Sequence, residues 1–121
     1  MRLLIVNPNT TQAITGLLAQ TARSLASPGT AIKAVTGAFG AQVIASRMEM
    51  TIGDYAAFDL AARESGDCDA VIIGASIDSG LRAVRQMFPG PVIGLTEAAL
   101  HVACMTAGRF GLVASNLRTA T

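Results

Sequence analysis

Residues 71–81, VIIGASIDSGL, decide the predicted fold, because they join an apolar strand to a helix through a short polar turn. The strand is apolar throughout, as strands are when both faces of a sheet are covered. Gly-Ala-Ser follows it, and Asp78 and Ser79 are residue types that begin helices. A strand that leads through such a turn into a helix is the repeating unit of parallel α/β sheets. The stretch also predicts a ligand-binding turn at the end of its strand.

The same unit recurs along the chain. Strands are predicted at residues 3–6, 31–35, 70–74, 92–95 and 110–114, and helices at residues 10–25, 54–65, 79–87 and 96–107. Asn9 or Thr10, Asp54 and Thr96 are the expected caps, and residues 36–52 are expected to form a long loop with room for a short helix. The fold class is therefore α/β: an open, mainly parallel, doubly wound sheet of flavodoxin- or Rossmann-like order 2-1-3-4, with helices on both faces.

Length and composition narrow the classes of function. The chain has 121 residues, 51% of them hydrophobic and 14% charged, with a net charge of +1. This length suits one compact domain. The sequence has no stripe of basic residues, so it does not indicate nucleic-acid binding. The apolar runs are too short for a membrane span or a signal-peptide core, so we expect a cytoplasmic protein. Its two cysteines, Cys68 and Cys104, are expected to be free thiols.

The candidate site lies where the carboxyl ends of neighbouring strands meet. Three polar segments follow strand ends, and the predicted substrate-binding residues are Asn7, Asn9, Thr10, Ser76, Ile77, Asp78 and Thr96. Each segment precedes a helix, whose unpaired N–H groups and partial positive charge favour an anion by about 0.3–1 kcal/mol. A small carboxylate or imide-like substrate fits this arrangement, whereas neither dinucleotide nor P-loop motif is present. The alternative for Asn9, Thr10, Asp78 and Thr96 is that they only cap helices.

The histidine and the two cysteines lie in sequence contexts that give little support for a catalytic role. His101 is predicted to be a packed or surface histidine, because no partner is visible in the sequence. Cys104 is expected to be a small core residue on the same helix, and Cys68 precedes the third strand, at the end of the sheet opposite the site. No spacing of metal ligands appears, so no metal is expected.

Four stretches together resemble the aspartate/glutamate/hydantoin racemase superfamily, and its hydantoin racemase branch most closely. They are MRLLIVNPNTT at residues 1–11, VIASRMEM at residues 43–50, VIIGASIDSGL at residues 71–81, and GPVIGLTEAALHVACMTAGRFGLV at residues 90–113. The resemblance implies a cofactor-independent enzyme of two similar α/β lobes with its active site in the cleft between them. It also implies two cysteines, one per lobe, that remove and return a proton on opposite faces of the substrate carbon, as inversion requires.

The chain departs from the family pattern in two ways. In the family the first cysteine stands three residues before the Asp of an Asp-Pro-Gly-Leu segment, and here that position is Ala75. No catalytic residue is therefore assigned within the chain. The family chain is also roughly twice as long, so residues 1–95 are expected to be the first lobe. Residues 96–121 are then the crossover helix and first strand of an incomplete second lobe.

Three functions remain open for such a chain. The first is a racemase of amino acids, hydantoins or allantoin-like compounds that lacks the first-lobe thiol. The second is a decarboxylase or isomerase of the same superfamily that uses one cysteine, since the Ala75-Ser76 pair resembles that branch. The third is a binding module without catalysis. We favour a natural variant at Ala75 over an engineered one, and we expect a homo-oligomer because an incomplete second lobe exposes apolar surface.

Overall fold

Four parallel strands alternate with four helices in the computed structural model, which describes residues 1–114. The elements are β1 (Arg2–Asn7), α1 (Gln12–Leu25), β2 (Ala31–Thr36), α2 (Arg47–Glu64), β3 (Ala70–Ile73), α3 (Leu81–Met87), β4 (Val92–Gly94) and α4 (Leu95–Thr106). The strand order is β2-β1-β3-β4. The predicted fold class and strand order are confirmed. None of the helices within residues 1–114 has both the length and the apolar character needed to cross a membrane.

The order of the strands reverses between β1 and β3. Val6 of β1 pairs with Val35 of β2 on one side and with Ile73 of β3 on the other. The N–H of Gly74 extends the second pairing by donating to the Val6 carbonyl oxygen at 2.8 Å. Because all strands are parallel, the turns that follow β1 and β3 leave the same edge of the sheet, at the switch point where ligands of such sheets bind.

The core lies mainly on one face of the sheet, where alternate strand residues meet α2 and α3. Leu4, Val6, Val71 and Ile73 are fully buried there, against a cluster that includes Val84 of α3. Burying an apolar side chain of this size stabilises the fold by roughly 1.5–3 kcal/mol. The opposite face packs against α1: the side chains of Ile5 and Leu18 both approach the position that a Cβ on Gly74 would occupy.

Helix α2 begins at Arg47, so the prediction of a helix starting at Asp54 is wrong. The helix starts early because Ser46 caps it: the Ser46 hydroxyl accepts from the Glu49 N–H at 3.3 Å, and Oε2 of Glu49 accepts from the Ala45 N–H at 2.8 Å. Ser-x-x-Glu before a helix is a known sequence signal for this arrangement. Small residues such as Ala57 fill the buried positions of α2, so the apolar periodicity of the sequence is weak.

The stability of this helix start is expected to depend on pH. Hydrogen bonds from the Ala45 N–H and then from the Ser46 hydroxyl lower the pKa of Glu49 below its ordinary value of 4.5. A lowered carboxyl pKa adds stability above that ordinary value, and the contribution is lost as pH falls through the folded value. Urea midpoints of the native chain and of Glu49→Gln should therefore differ at pH 7 and converge towards pH 3. A difference that stays constant over this range would contradict the assignment.

The other helices also begin slightly later or earlier than predicted. Helix α1 begins at Gln12, with Thr11 rather than Asn9 or Thr10 at the N-cap position. Helix α3 begins at Leu81 instead of residue 79, because Gly80 before it has a φ of 70°. Helix α4 begins directly after β4, so Thr96 lies in its first turn and Gly94 is at the cap position.

The predicted fifth strand at residues 110–114 is wrong, since residues 107–114 form neither a helix nor a strand. A strand needs a neighbour whose backbone groups it can pair with, and within residues 1–114 the sheet ends at β4. Phe110, Leu112 and Val113 are exposed there. Residues 115–121 lie outside the described part of the chain, so the end of the predicted second-lobe segment does as well.

Ser79 carries a buried hydroxyl that has no hydrogen-bond partner within the described residues. A buried polar group without a partner costs about 1–3 kcal/mol. We therefore expect Ser79→Ala to raise the free energy of unfolding by about 1 kcal/mol. Ser46→Ala is the matched control, because it removes the cap of α2 and should lower that free energy by about 1 kcal/mol. Urea denaturation measures both, and destabilisation by Ser79→Ala would show that its hydroxyl makes a favourable contact.

Candidate functional site

Asn7 organises the turn after β1 from a fully buried position. Its Nδ2 donates to Asn9 Oδ1 at 2.9 Å, to Thr15 Oγ1 at 3.0 Å and to the Thr11 carbonyl oxygen at 3.3 Å. The Thr15 hydroxyl in turn lies 2.6 Å from that of Thr36 on β2. Asn7 is thus committed to internal hydrogen bonds that join β1, α1 and β2, and it shapes the turn.

Asn9 and Thr10 are the residues of this turn that keep unused polar atoms. Oδ1 of Asn9 accepts from the Thr11 N–H at 2.9 Å, and the Thr10 N–H donates to the Ala41 carbonyl at 3.1 Å. The NH2 group of Asn9 and the hydroxyl of Thr10 have no hydrogen-bond partner among residues 1–114. Both residues are half-buried, so these groups are available to a ligand at the carboxyl edge.

The loop formed by residues 37–46 covers the turn, a role that the sequence did not reveal. The N–H of Gly37 donates to the carbonyl oxygens of Asn7 and Asn9 at 2.9 and 3.0 Å, and the Thr11 hydroxyl donates to the Gln42 carbonyl at 2.8 Å. A Cβ on Gly37 would lie 2.7 Å from the Pro8 carbonyl oxygen, so glycine is needed for this approach. The glycines in TGAFGA were the available signal of a close backbone contact.

The turn after β3 presents Ala75 and Ser76 at the same edge of the sheet. Ala75 is half-buried against the core, and its carbonyl oxygen accepts from the Asp78 N–H at 3.0 Å. Ser76 is exposed. Ile77 and Asp78, together with Asp54 of α2, line an open cavity of about 460 Å³ bordered by the start of α3. The structure therefore brings Ala75 and Ser76 to the switch-point edge and places Ile77 in the wall of this cavity.

Asp78 and Thr96 bind each other across the site. Oδ1 of Asp78 accepts from the Thr96 N–H at 2.9 Å, and Oδ2 accepts from the Glu97 N–H at 2.8 Å. The Thr96 hydroxyl donates to the Ser76 carbonyl oxygen at 2.7 Å. Asp78 thus caps α4 rather than α3. Its carboxylate already occupies the helix start that the sequence offered to a substrate anion, so that N-terminus is filled by the protein's own charge.

The other reactive side chains lie away from this edge. Cys68 is at the amino edge, where it lines a cavity of about 420 Å³ with Phe88, and burial followed by the charge of Asp67 raises the pKa of its thiol. Cys104 and His101 are exposed on α4, so the prediction that Cys104 is a core residue is wrong, although both cysteines are free thiols. Within residues 1–114 no cluster of three His, Cys, Asp or Glu side chains is arranged to hold a metal ion.

The carboxyl edge of this α/β lobe carries amide and hydroxyl groups that make no hydrogen bonds within residues 1–114. The groups left over for a ligand there are the Asn9 NH2, the Thr10 hydroxyl and the exposed Ser76 side chain. Each of them is uncharged; the NH2 group can donate a hydrogen bond, and the hydroxyls can both donate and accept. A methyl group stands at Ala75, so the edge has no group at that position that can transfer a proton.

Comparison with known proteins assigns the lobe to a family. The family model described as Asp/Glu/Hydantoin racemase matches residues 3–120, so the chain belongs to this family. Two hydantoin racemases are similar to it: that of Paenarthrobacter aurescens is 31% identical over 115 residues, and that of Pseudomonas sp. (strain NS671) is 32% identical over 114 residues. Each alignment covers 93% of this chain, and 49% and 46% of the respective relative.

Solved structures of allantoin racemases show the same fold. The enzyme from Pseudomonas fluorescens superposes with a TM-score of 0.93 at 34% identity, and the enzyme from Klebsiella pneumoniae with a TM-score of 0.92 at 38% identity. The matches cover 98% and 99% of this chain, and 51% and 49% of those chains. The chain therefore spans about half the length of the relatives that it matches.

Proposed function

We propose that the protein takes part in racemisation at the carbon next to a carbonyl group, on an amino acid, hydantoin or allantoin-like substrate and without a cofactor. The observation that supports this most strongly is the meeting of the turns after β1 and β3 at one sheet edge, where Gly74 bonds to Val6. The family of the chain supports the reaction class. Asn9, Thr10 and Ser76 carry the unused polar groups that would orient the substrate.

The groups at the edge favour a neutral ring over a dicarboxylate substrate. A second carboxylate on the substrate would need a cation or an unoccupied helix start. The start of α4 is occupied by Asp78, and the Thr11 N–H at the start of α1 is taken by Asn9. The Asn9 NH2 can donate to a carbonyl oxygen, and the Thr10 and Ser76 hydroxyls can both donate and accept, which suits the alternating N–H and C=O groups of a hydantoin or ureide. We therefore rank hydantoin- and allantoin-like substrates above aspartate and glutamate.

The proton transfers need groups that this edge does not supply at Ala75. Inversion needs a base on one face of the reacting carbon and an acid on the other. In the proposed mechanism a thiol fills one of these roles and comes from the half of the two-lobe relatives that this chain does not cover, whereas the thiol for the other role is missing from this lobe at Ala75. Residues 1–95 then form the first lobe, and residues 96–121 begin the second. Helix α4 supports this division, since none of its residues is buried and its Val102 and Met105 side chains are exposed.

Optical rotation tests the proposed activity. The protein is incubated with single enantiomers of a 5-substituted hydantoin, allantoin, aspartate and glutamate, and the loss of rotation is followed. We expect loss with the hydantoin or allantoin and slower or no loss with the two dicarboxylates. Rotation that stays constant for all four would contradict racemisation and would leave a decarboxylase or a binding module as the function.

A decarboxylase is the second candidate, and the Ala75-Ser76 pair favours it. A small side chain followed by a hydroxyl leaves room for a carboxylate that is lost as carbon dioxide, after which one thiol is enough to protonate the carbanion. Ser76 is exposed at the edge, as this role requires. Release of carbon dioxide from a disubstituted malonate, with no change in the rotation of a hydantoin, would establish this reaction in place of racemisation.

Two further predictions concern the whole protein. Exposed apolar residues on α4 and beyond, among them Met105 and Val113, support assembly into a homo-oligomer. Size-exclusion chromatography with light scattering measures the assembly, and a stable monomer would contradict it.

The cytoplasmic location stays a prediction that cell fractionation tests.

A further inference from the structure

Asp78 has an uncommon backbone conformation at the end of the turn after β3. Its φ is 50°, and among residues 1–114 it is the one residue other than glycine with a positive φ. Such conformations are costly for residues with a side chain, although Asp and Asn adopt them more readily than most. Such conformations persist where the surrounding structure fixes them, so the contacts of Asp78 should explain why it keeps this conformation.

Those contacts form a closed set between the turn and α4. Both carboxylate oxygens of Asp78 accept N–H groups of α4, from Thr96 and Glu97. The Thr96 hydroxyl returns to the turn by donating to the Ser76 carbonyl. The Asp78 N–H donates to the Ala75 carbonyl. Thr96 thus bonds to two residues of the turn, and the backbone on both sides of Ile77 is tied to the first turn of α4.

Gly94 makes the space that this arrangement needs. A Cβ at position 94 would lie 2.6 Å from the carboxylate carbon of Asp78, and 2.7 and 2.8 Å from its oxygens. No L-residue with a side chain fits without displacing the carboxylate. Glycine at the end of β4 therefore lets Asp78 reach the amides of α4.

We propose that Asp78 is a positioning residue: by capping α4 in its left-handed conformation, it fixes the place of Ser76 at the site. The position of α4 and the shape of the turn then depend on each other. The proposal rests on the proposed function only for the claim that Ser76 contacts substrate. The hydrogen bonds alone support the coupling between α4 and the turn, and a measurement that needs no substrate tests it.

Backbone NMR measures the coupling directly in Asp78→Ala, Asp78→Asn and the control Asp54→Asn. Asp54 is a matched control because its carboxylate accepts from the Gly80 N–H at 2.8 Å, close to the turn, and does not bond to α4. For Asp78→Ala we expect the Thr96 and Glu97 amides to exchange about twofold to thirtyfold faster, the range for loss of a helix cap. The Ser76 amide should gain fast-timescale motion in the same variant.

The two remaining variants set the comparison. Asp78→Asn keeps one acceptor oxygen and tolerates the left-handed conformation, so it should lie between the native protein and Asp78→Ala, and it carries the test if the alanine variant does not fold. Asp54→Asn should leave both readouts at native values. Faster exchange at Thr96 and Glu97 with unchanged order at Ser76 would overturn the proposal and reduce Asp78 to a helix cap.

Steady-state kinetics separate this proposal from the proposed function. With a hydantoin substrate, Asp78→Asn should raise KM several-fold and leave kcat within about twofold, since displacing a binding residue weakens ground state and transition state alike. Asp54→Asn should change neither constant. A native protein that racemises nothing would contradict the proposed function and leave the NMR result to decide on the coupling. Active variants with unchanged KM would overturn the positioning role.

Discussion

Ala75→Cys is expected to raise the rate of racemisation by about a hundredfold or more, because it places a thiol where the proposed mechanism lacks a proton-transfer group. General acid–base groups contribute typically about 10²–10⁴-fold to a reaction. The position is half-buried at the lip of the site, beside the exposed Ser76. The measurement is the initial rate of loss of optical rotation of a hydantoin, at equal concentrations of the variant and the native protein.

Ala75→Ser is the matched control for this change. Its hydroxyl is close in size to a thiol but is a far weaker acid at neutral pH, so it should leave the rate close to that of the native protein. Equal rates for the two variants would show that Ala75 does not face the reacting carbon. Loss of carbon dioxide release together with gained racemisation would indicate that the native residue serves the decarboxylase reaction.

Gly80→Ala is expected to lower the free energy of unfolding by about 3 kcal/mol. Gly80 has a φ of 70°. A Cβ there would lie 2.6 Å from the Asp54 carbonyl oxygen and 3.0 Å from the Ala57 side chain, both in α2. Backbone strain and overlap with a backbone atom therefore act together. Urea denaturation of the native chain and the variant measures the difference.

Gly29→Ala separates the two causes. Gly29 also has a positive φ, of 86°, but a Cβ there would have nothing within 4 Å. Its cost should be the conformational part alone, about 1 kcal/mol. Equal losses in the free energy of unfolding for the Gly80 and Gly29 variants would show that overlap of the new Cβ with α2 adds no cost. The close approach of the turn to α2 would then not explain how this turn is held in place.

The strands and their order could be predicted because their signals are local and strong. The apolar runs that end at Val6 and Ile73 had no competing interpretation, and short alternation of strands and helices leaves few arrangements of a parallel sheet. The start of α2 was missed although Ser46 and Glu49 form a recognisable capping pair, because glycines upstream favoured a loop. The strand predicted at residues 110–114 failed because a strand depends on a pairing partner, which local sequence does not report.

The structure brings the turns after β1 and β3 to the carboxyl edge of the sheet, as the sequence predicted, but the hydrogen-bond partners of their side chains could not be predicted from the sequence. Asn7 and Asp78 have residue types that bind ligands, and in the structure their polar atoms bond to the protein instead. An amide or carboxylate can bind a ligand or bond within the protein. Which of these it does depends on distances between residues far apart in the chain, such as Asp78 and Thr96. The glycines of the loop after β2 indicated a close backbone contact, but the sequence did not indicate that this contact is with the turn after β1.

Ligand protection of the thiol introduced by Ala75→Cys tests the central claim most directly, that the turns after β1 and β3 form one small-molecule site. The variant is alkylated with iodoacetamide with and without a hydantoin, and mass spectrometry follows each peptide. Cys68 at the amino edge and the exposed Cys104 serve as controls in the same molecule. We expect the hydantoin to slow alkylation at position 75 and to leave alkylation of both control cysteines unchanged. The same alkylation rate at position 75 with and without the hydantoin, or protection of Cys68 instead, would contradict a site formed by the two turns.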